Sequence, residues 1–196
     1  MSQSTIFDFQ RMQFCLAAPR SAAFPAADCA EVAFAGRSNA GKSSALNAIC
    51  QRKKLARTSK TPGRTQAINF FQQDQVRFAD LPGYGFARVP PAMKAAWQTL
   101  VERYLTEREC LRGVVLVMDA RRPLTDFDGQ LLDWVATCEL DFHLLLTKAD
   151  KLSRNQQHNT LRNVRSQVAP HTVQLFSAIR RVGLDDARKR IGQWLQ

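Results

Sequence analysis

Between Gly36 and Ser43 the chain reads Gly-Arg-Ser-Asn-Ala-Gly-Lys-Ser, a loop whose residue types suit capture of a phosphate chain. Gly36 and Gly41 allow the backbone to turn, so that successive N–H groups point at one anion. Lys42 brings a positive charge for the outer phosphates, and the Ser43 hydroxyl is a hard oxygen ligand for magnesium. The apolar run Glu31-Val32-Ala33-Phe34-Ala35 precedes this loop, and a helical stretch from Ser44 to Ile49 follows it. A helix beginning there turns the positive end of its dipole toward the same anion. Strand, glycine-bounded loop and helix in that order imply a nucleoside triphosphate site, for which a chance glycine turn lacks the setting.

A second constellation selects the base. Leu144-Leu145-Leu146 reads as an apolar strand running into Thr147-Lys148-Ala149-Asp150. The Asp150 carboxylate can accept two parallel hydrogen bonds, from N1–H and the exocyclic amine of guanine. Adenine has neither donor on that edge and would leave the carboxylate unpaired. The aliphatic stem of Lys148 can lie along the flat face of the base. Val173-Gln174-Leu175-Phe176 reads as a last strand, and the Ser177-Ala178 step after it offers a backbone N–H to guanine O6. That pair carries meaning only because a base-binding loop is needed there.

A third constellation senses the γ-phosphate. The strand Val76-Arg77-Phe78-Ala79 ends in Asp80-Leu81-Pro82-Gly83. Asp80 can hold magnesium through a water, and the Gly83 N–H can bond the γ-phosphate and be released when it leaves. Upstream, Thr61-Pro62-Gly63-Arg64-Thr65 is rich in turn formers and ends in a hydroxyl. Thr65 is the candidate for a second protein ligand to magnesium, with Thr61 the alternative.

Taken together, Gly36–Ser44, Lys60-Thr61-Pro62-Gly63-Arg64-Thr65-Gln66 and Asp80-Leu81-Pro82-Gly83-Tyr84-Gly85-Phe86-Ala87 resemble the bacterial EngB (YihA/YsxC) GTPases. These belong to the TrmE–Era–EngA–EngB–Septin-like branch, and the resemblance runs from about Glu31 to the C-terminus. It implies a nucleotide- and cofactor-binding set of Gly36, Arg37, Ser38, Asn39, Ala40, Gly41, Lys42, Ser43 and Ser44 in the first loop. Gly63, Arg64, Thr65, Gln66 and Ala67 join it from the second stretch, and Asp80, Leu81, Pro82 and Gly83 from the third. Thr147, Lys148, Ala149 and Asp150, with Phe176, Ser177 and Ala178, complete it at the base. Lys42, Thr65 and Gly83 are the catalytic candidates; Ser43, Thr65 and Asp80 are those for the metal. The resemblance further implies GTP and GDP as ligands, Mg²⁺ as cofactor, and a slow GTPase that switches with its nucleotide. Its expected work is assembly of the large ribosomal subunit, with a requirement in normal cell division and septation. A GTP-dependent binding module acting directly at the division septum is the alternative.

The residue after Gly83 is Tyr84, where Ras-like enzymes place a glutamine that orients the attacking water. A phenol does not do that job in the same way, so turnover should be slow or should borrow a group. Asn39 matches the asparagine that helps hold K⁺ in potassium-activated relatives such as TrmE; the other reading is that it stabilises the loop turn. Arg64 is either an internal arginine finger or a solvated cation beside Thr65. A kinase or pump ATPase is disfavoured by Asp150 and by the lack of a substrate or membrane domain.

The elements that must position these residues alternate along the 196-residue chain. The expected order is strand 31–36, helix 42–50, strand 67–72, strand 75–80, helix 91–108, strand 113–119, helix 126–139, strand 142–147, helix 153–168, strand 172–176 and helix 184–195. The two strands within 67–80 form a hairpin around Gln73-Asp74, which makes one strand antiparallel. Met93, Trp97, Leu100, Val101, Tyr104 and Leu105 lie on one helical face, Ser153 and Gln156 form a capping box, and Leu184, Ala187, Ile191 and Trp194 stripe the last helix. The fold class is α/β: a three-layer P-loop NTPase of Ras-like type, with a mostly parallel sheet of six to seven strands and helices on both faces. Residues 1–30 form an N-terminal extension in which Met12–Leu16 could add an edge strand, and 31–196 form the GTP-binding domain.

Twenty-eight Lys and Arg against 17 Asp and Glu leave a net charge of +11, which points to a polyanionic partner. The cations cluster at Arg52, Lys53, Lys54, Arg57, Lys60 and Arg64, and again at Arg180, Arg181, Arg188, Lys189 and Arg190. With the family resemblance, the expected partner is the large ribosomal subunit or its precursor and rRNA. A merely soluble cationic surface is the bland alternative, and a membrane is disfavoured because no helix pairs a basic face with exposed aromatics. Five unpaired-looking cysteines suit reduced thiols in the cytoplasm, and no stretch approaches the roughly 18 apolar residues of a membrane span. A lone small domain points to a monomer.

Overall fold

The computed structural model describes residues 7–56, 67–84, 91–168 and 171–196. Seven strands form one sheet: β1 (Gln13–Ala18), β2 (Ala30–Gly36), β3 (Ile68–Gln73), β4 (Val76–Asp80), β5 (Leu111–Asp119), β6 (Phe142–Thr147) and β7 (Thr172–Leu175). Among the described residues four α-helices lie between strands, α1 (Lys42–Ile49), α2 (Pro91–Glu107), α3 (Asp126–Thr137) and α4 (Arg154–Val168), and α5 (Leu184–Trp194) follows β7. The strand order is β1-β3-β4-β2-β5-β6-β7, and β3 alone runs against its neighbours. β1 pairs with β3 at the sheet edge, so a segment of the N-terminal extension belongs to the same sheet. The hairpin turns at Asp74-Gln75, one residue later than the sequence suggests, because Asp74 takes the left-handed conformation (φ 50°). Glu139 does the same at φ 54° and closes α3 before the expected 139.

The period-2 alternation of the central strands sorts the core into two layers. Val32 and Phe34 of β2, with Val115 and Val117 of β5, face α1 and α5. Ala33 and Ala35, with Val114, Leu116 and Met118, face α2, α3 and α4. Leu100, Val101, Tyr104 and Leu105 are buried from α2, and Leu184, Ala187 and Ile191 from α5, as their spacing predicts. The side chain of Met93 lies outside the described ones. Ser153 and Gln156 cap α4 reciprocally, through Ser153 N–H to Oε1 at 2.9 Å and Gln156 N–H to Oγ at 3.4 Å.

One feature of the core has no local signature. Glu31, fully buried at the N-terminal end of β2, accepts a two-pronged bond from Arg108, with Nε to Oε1 at 3.0 Å and the second guanidinium nitrogen to Oε2 at 2.9 Å. Tyr104 donates to the same carboxylate at 2.6 Å, and Arg77 of β4 approaches it at 3.4 Å. Burial and the adjoining Glu31 carboxylate push the Tyr104 phenol well above its ordinary range. The cluster fastens the C-terminal half of α2 to the two central strands.

Candidate functional site

β2 delivers the first loop at the C-terminal end of the sheet, where open α/β folds bind their ligands. Gly41 adopts φ +99°, a left-handed conformation that a side chain would strain, and α1 starts at the next residue with Lys42. Gly36 is needed for a different reason than turning. A Cβ there would stand 2.5 Å from the Val117 carbonyl of β5, so its role is close strand approach. Asn39 also sits at positive φ (62°), and its side chain is exposed. The Ser38 N–H is held by the Tyr84 carbonyl at 2.8 Å, which joins the loop to the residue after Gly83.

Residues far apart in sequence are fastened together around this loop. Thr147 Oγ1 contacts the Ala40 carbonyl and lies 3.0 Å from that of Met118. Lys148 Nζ donates to the Asn39 carbonyl at 2.7 Å and to Asp119 at 2.9 Å. Thus the end of β6, read from sequence as the base-recognition strand, is clamped to the phosphate-type loop.

Asp119, the last residue of β5, is a site residue that the sequence reading missed. It takes the Arg121 side chain in a fork (2.9 and 2.7 Å) as well as Lys148. Burial alone would raise its pKa, but the hydrogen bonds from Arg121 and Lys148 outweigh that and hold the carboxyl well below the usual range. An acid at the C-terminal end of a parallel strand was the available signal.

At the base corner, the Ser177 hydroxyl donates to Asp150 Oδ1 at 2.6 Å, and Ser177 itself is fully buried. The Ser177 N–H is taken by the Val182 carbonyl at 3.1 Å, which leaves Ala178 as the backbone donor for a base oxygen there. The Ala149 N–H bonds the Phe176 carbonyl at 3.2 Å and so fixes the spacing of the two base loops.

Lys42 and Asp80 form an ion pair, with both side chains nearly buried. Ser43 lies half-buried in the first turn of α1. The Ser43 hydroxyl and Asp80 carboxylate are hard oxygen donors of the kind magnesium takes, and magnesium retains several waters, so a large protein cage is not needed. Leu81 is buried, and the backbone of Gly83 packs against Ser38, with a Cβ there 3.3 Å from its nitrogen. Thr61, Gly63, Arg64, Thr65 and Gln66 lie outside the described residues; Ala67 stands just before β3.

Tyr84 is buried with its hydroxyl donating to Asp128 of α3 at 2.8 Å. Burial, reinforced by the Asp128 carboxylate, pushes its pKa far above the ordinary phenol range. Trp97 donates to the Pro82 carbonyl at 2.9 Å and packs between Tyr84 and Trp134.

The structure divides the two basic clusters. Arg188 donates to the Ile49 and Ala48 carbonyls at 2.9 and 3.2 Å, and so caps the C-terminus of α1. Arg190 pairs with Asp141 and stacks on Trp194, and Arg52 reaches the Gln10 carbonyl at 3.1 Å. Lys53, Lys54, Arg180, Arg181 and Lys189 are exposed; Arg57, Lys60 and Arg64 lie outside the described residues.

Residues 31–148 match the family model described as 50S ribosome-binding GTPase. The chain is 56% identical over 170 residues to the probable GTP-binding protein EngB of Thiobacillus denitrificans, covering 85% of this chain and 82% of that one. It is 47% identical over 192 residues to the protein of the same name from Glaesserella parasuis, covering 95% and 92%. Among solved structures, a probable GTP-binding protein engB superposes with TM-score 0.69 at 18% identity, over 85% of this chain and 98% of that one. Era, solved with MgGDPNP and a 16S ribosomal RNA segment, superposes with TM-score 0.72 at 19% identity, over 86% and 57%. At those identities the structural likeness shows the fold alone.

Proposed function

Because the chain belongs to the EngB family of GTP-binding proteins, we propose that it is a GTP-driven switch in assembly of the large ribosomal subunit. The observation that carries the switch is the fastening of the Asp150 base corner to the phosphate loop through Thr147 and Lys148. Base and phosphates are thereby read by one rigid frame, while the segments holding Asp80–Gly83 and Thr65 respond to the γ-phosphate. In this reading Asp150 accepts the two guanine donors, and Ala178 donates to O6. Lys42 leaves Asp80 for the phosphates, and Asp80, Ser43 and Thr65 hold the metal directly or through water. Magnesium, when bound, neutralises charge that develops on the phosphates.

Turnover should be slow. The Tyr84 hydroxyl, which stands at the position after Gly83, is held by Asp128 and is not free to orient a water. Asn39, exposed on the loop, is in a position to help seat a potassium ion against the phosphates. Hydrolysis is therefore expected to run several-fold faster in potassium than in sodium, and Asn39→Ala should abolish the difference. Equal rates of the unaltered protein in both salts would remove potassium from the mechanism.

The ribosomal reading is supported by the family description and by the net charge of +11. We place the protein in the cytoplasm as a monomer; among the described residues no helix is long and apolar enough to cross a membrane. The test is co-sedimentation with purified large subunits in GTP analogue, GDP or no nucleotide, at low and moderate salt. Binding at moderate salt only with the analogue is the expected result. Binding that ignores nucleotide and vanishes with salt would overturn it and turn the search to a protein partner at the division septum.

A further inference from the structure

Helix α4 contains fifteen residues and not one carboxylate. Its basic side chains are three arginines, Arg154, Arg162 and Arg165, together with the imidazole of His158, all exposed. At 3.6 residues per turn these four fall within an arc of about 80° and step roughly 4.5–6 Å along the axis. Asn155, Asn159 and Asn163 line the adjoining outward arc, with Val164 and Val168 buried behind. Among the described residues no carboxylate lies within ion-pair distance of Arg154, His158 or Arg162. A helix that needed only solvation gains by setting glutamates beside its arginines at i±4; here those positions within the helix hold His158, Leu161 and Ser166. By contrast α3, which covers the same face of the sheet, begins with Asp126 and Asp128 and carries Asp133.

The direction of the cationic arc follows from one contact. Arg165 reaches the Val173 carbonyl at 3.4 Å, so the arc leans toward β7, the open edge of the sheet. Topology then extends the strip. Arg154 lies seven residues beyond the end of β6 at Thr147, and Arg180 five beyond the end of β7 at Leu175. These strands are parallel neighbours, so both arginines stand at the nucleotide end of the molecule, where Arg181 is also exposed. The Arg180 N–H bonds Ser177 Oγ at 3.1 Å, the same hydroxyl that holds Asp150.

We propose that the β7 edge, formed by Arg154, His158, Arg162 and Arg165 with Arg180 and Arg181, is the surface that grips the sugar–phosphate backbone of a structured RNA. The arginines set charge against phosphates, the His158 imidazole adds a hydrogen-bonding group between them, and the asparagine amides offer both donors and acceptors to 2′-hydroxyls and base edges. The strip ends in the loop that reads the base, so RNA contact and nucleotide retention share one segment. This inference rests on the ribosomal reading and names its surface.

The test compares the full chain with an Arg154→Glu/Arg162→Glu variant and a Lys53→Glu/Lys54→Glu variant. Binding is followed to in vitro transcribed large-subunit rRNA and to purified large subunits, in GTP analogue across a salt series. The α4 variant should bind about 10–100-fold more weakly, with the salt slope reduced by about two. Unchanged GDP affinity would show that the fold is intact, and Arg154→Gln/Arg162→Gln should give a smaller loss in the same direction. If the unaltered protein binds and the α4 variant matches it, the β7 edge is overturned while the ribosomal reading stands. If the unaltered protein binds neither probe, or prefers phosphatidylglycerol vesicles to RNA, both readings fall.

Discussion

Replacing Asp150 by Asn should weaken GTP and GDP binding by about 10²–10⁴-fold and shift the preference toward xanthosine nucleotides. In the proposed function the carboxylate meets two donors on guanine, and each hydrogen bond to a charged group is worth about 1.5–3 kcal/mol. An asparagine keeps one acceptor and turns a donor toward the guanine amine. Xanthine carries an oxygen where guanine has that amine, so the same amide then finds an acceptor. The Ser177 hydroxyl at 2.6 Å holds Asp150 in position and has an acceptor in either variant, so the loop itself should persist. Titration with fluorescent guanosine and xanthosine diphosphates measures the switch directly. Unchanged GTP affinity in the variant would show that Asp150 does not read the base.

Glu31→Ala should destabilise the fold by about 3–5 kcal/mol, because it leaves Arg108 and Arg77 buried without their counter-charge. For a chain of this size that corresponds to a fall in Tm of roughly 6–20 °C. Tyr104, fully buried, would also lose the acceptor of its hydroxyl. Glu31→Gln should cost less, since an amide oxygen can still accept from Tyr104. Glu31 sits at the N-terminal end of β2 and the nucleotide site at the other end, so guanosine affinity of the folded fraction should be unaltered. A urea titration with and without GDP separates the two effects. A midpoint unmoved by Glu31→Ala would mean that the ion cluster is not what ties α2 to the sheet.

The resemblance of three loops to the EngB GTPases carried the family assignment, because each loop's chemistry is written within a few neighbouring residues. Glycine, lysine and serine in that order after a strand, or an aspartate three residues after a strand's threonine, need no distant partner to be legible. The order of strands and helices was equally local, since it rests on hydrophobic period and on caps such as Ser153 with Gln156. Element ends were less so. The close of α3 and the turn of the hairpin depend on Glu139 and Asp74 taking positive φ, which no apolar pattern encodes.

Tertiary structure alone decided which polar side chains work for the fold and which face outward. Arg188 and Arg190 stand in the same basic run as Lys189, yet the first caps α1 and the second pairs with Asp141. Tyr84 stands where a catalytic glutamine is expected, and its hydroxyl is bound to Asp128, forty-four residues on. Asp119 became a site residue only because β5 and β6 are parallel neighbours, which sets it beside Lys148. The sequence by itself determined membership of a GTP-binding family and the alternation of elements, for these depend on residues close along the chain. Partners such as Glu31 with Arg108 or Thr147 with Ala40 are set by strand order, which brings together groups that no local pattern relates.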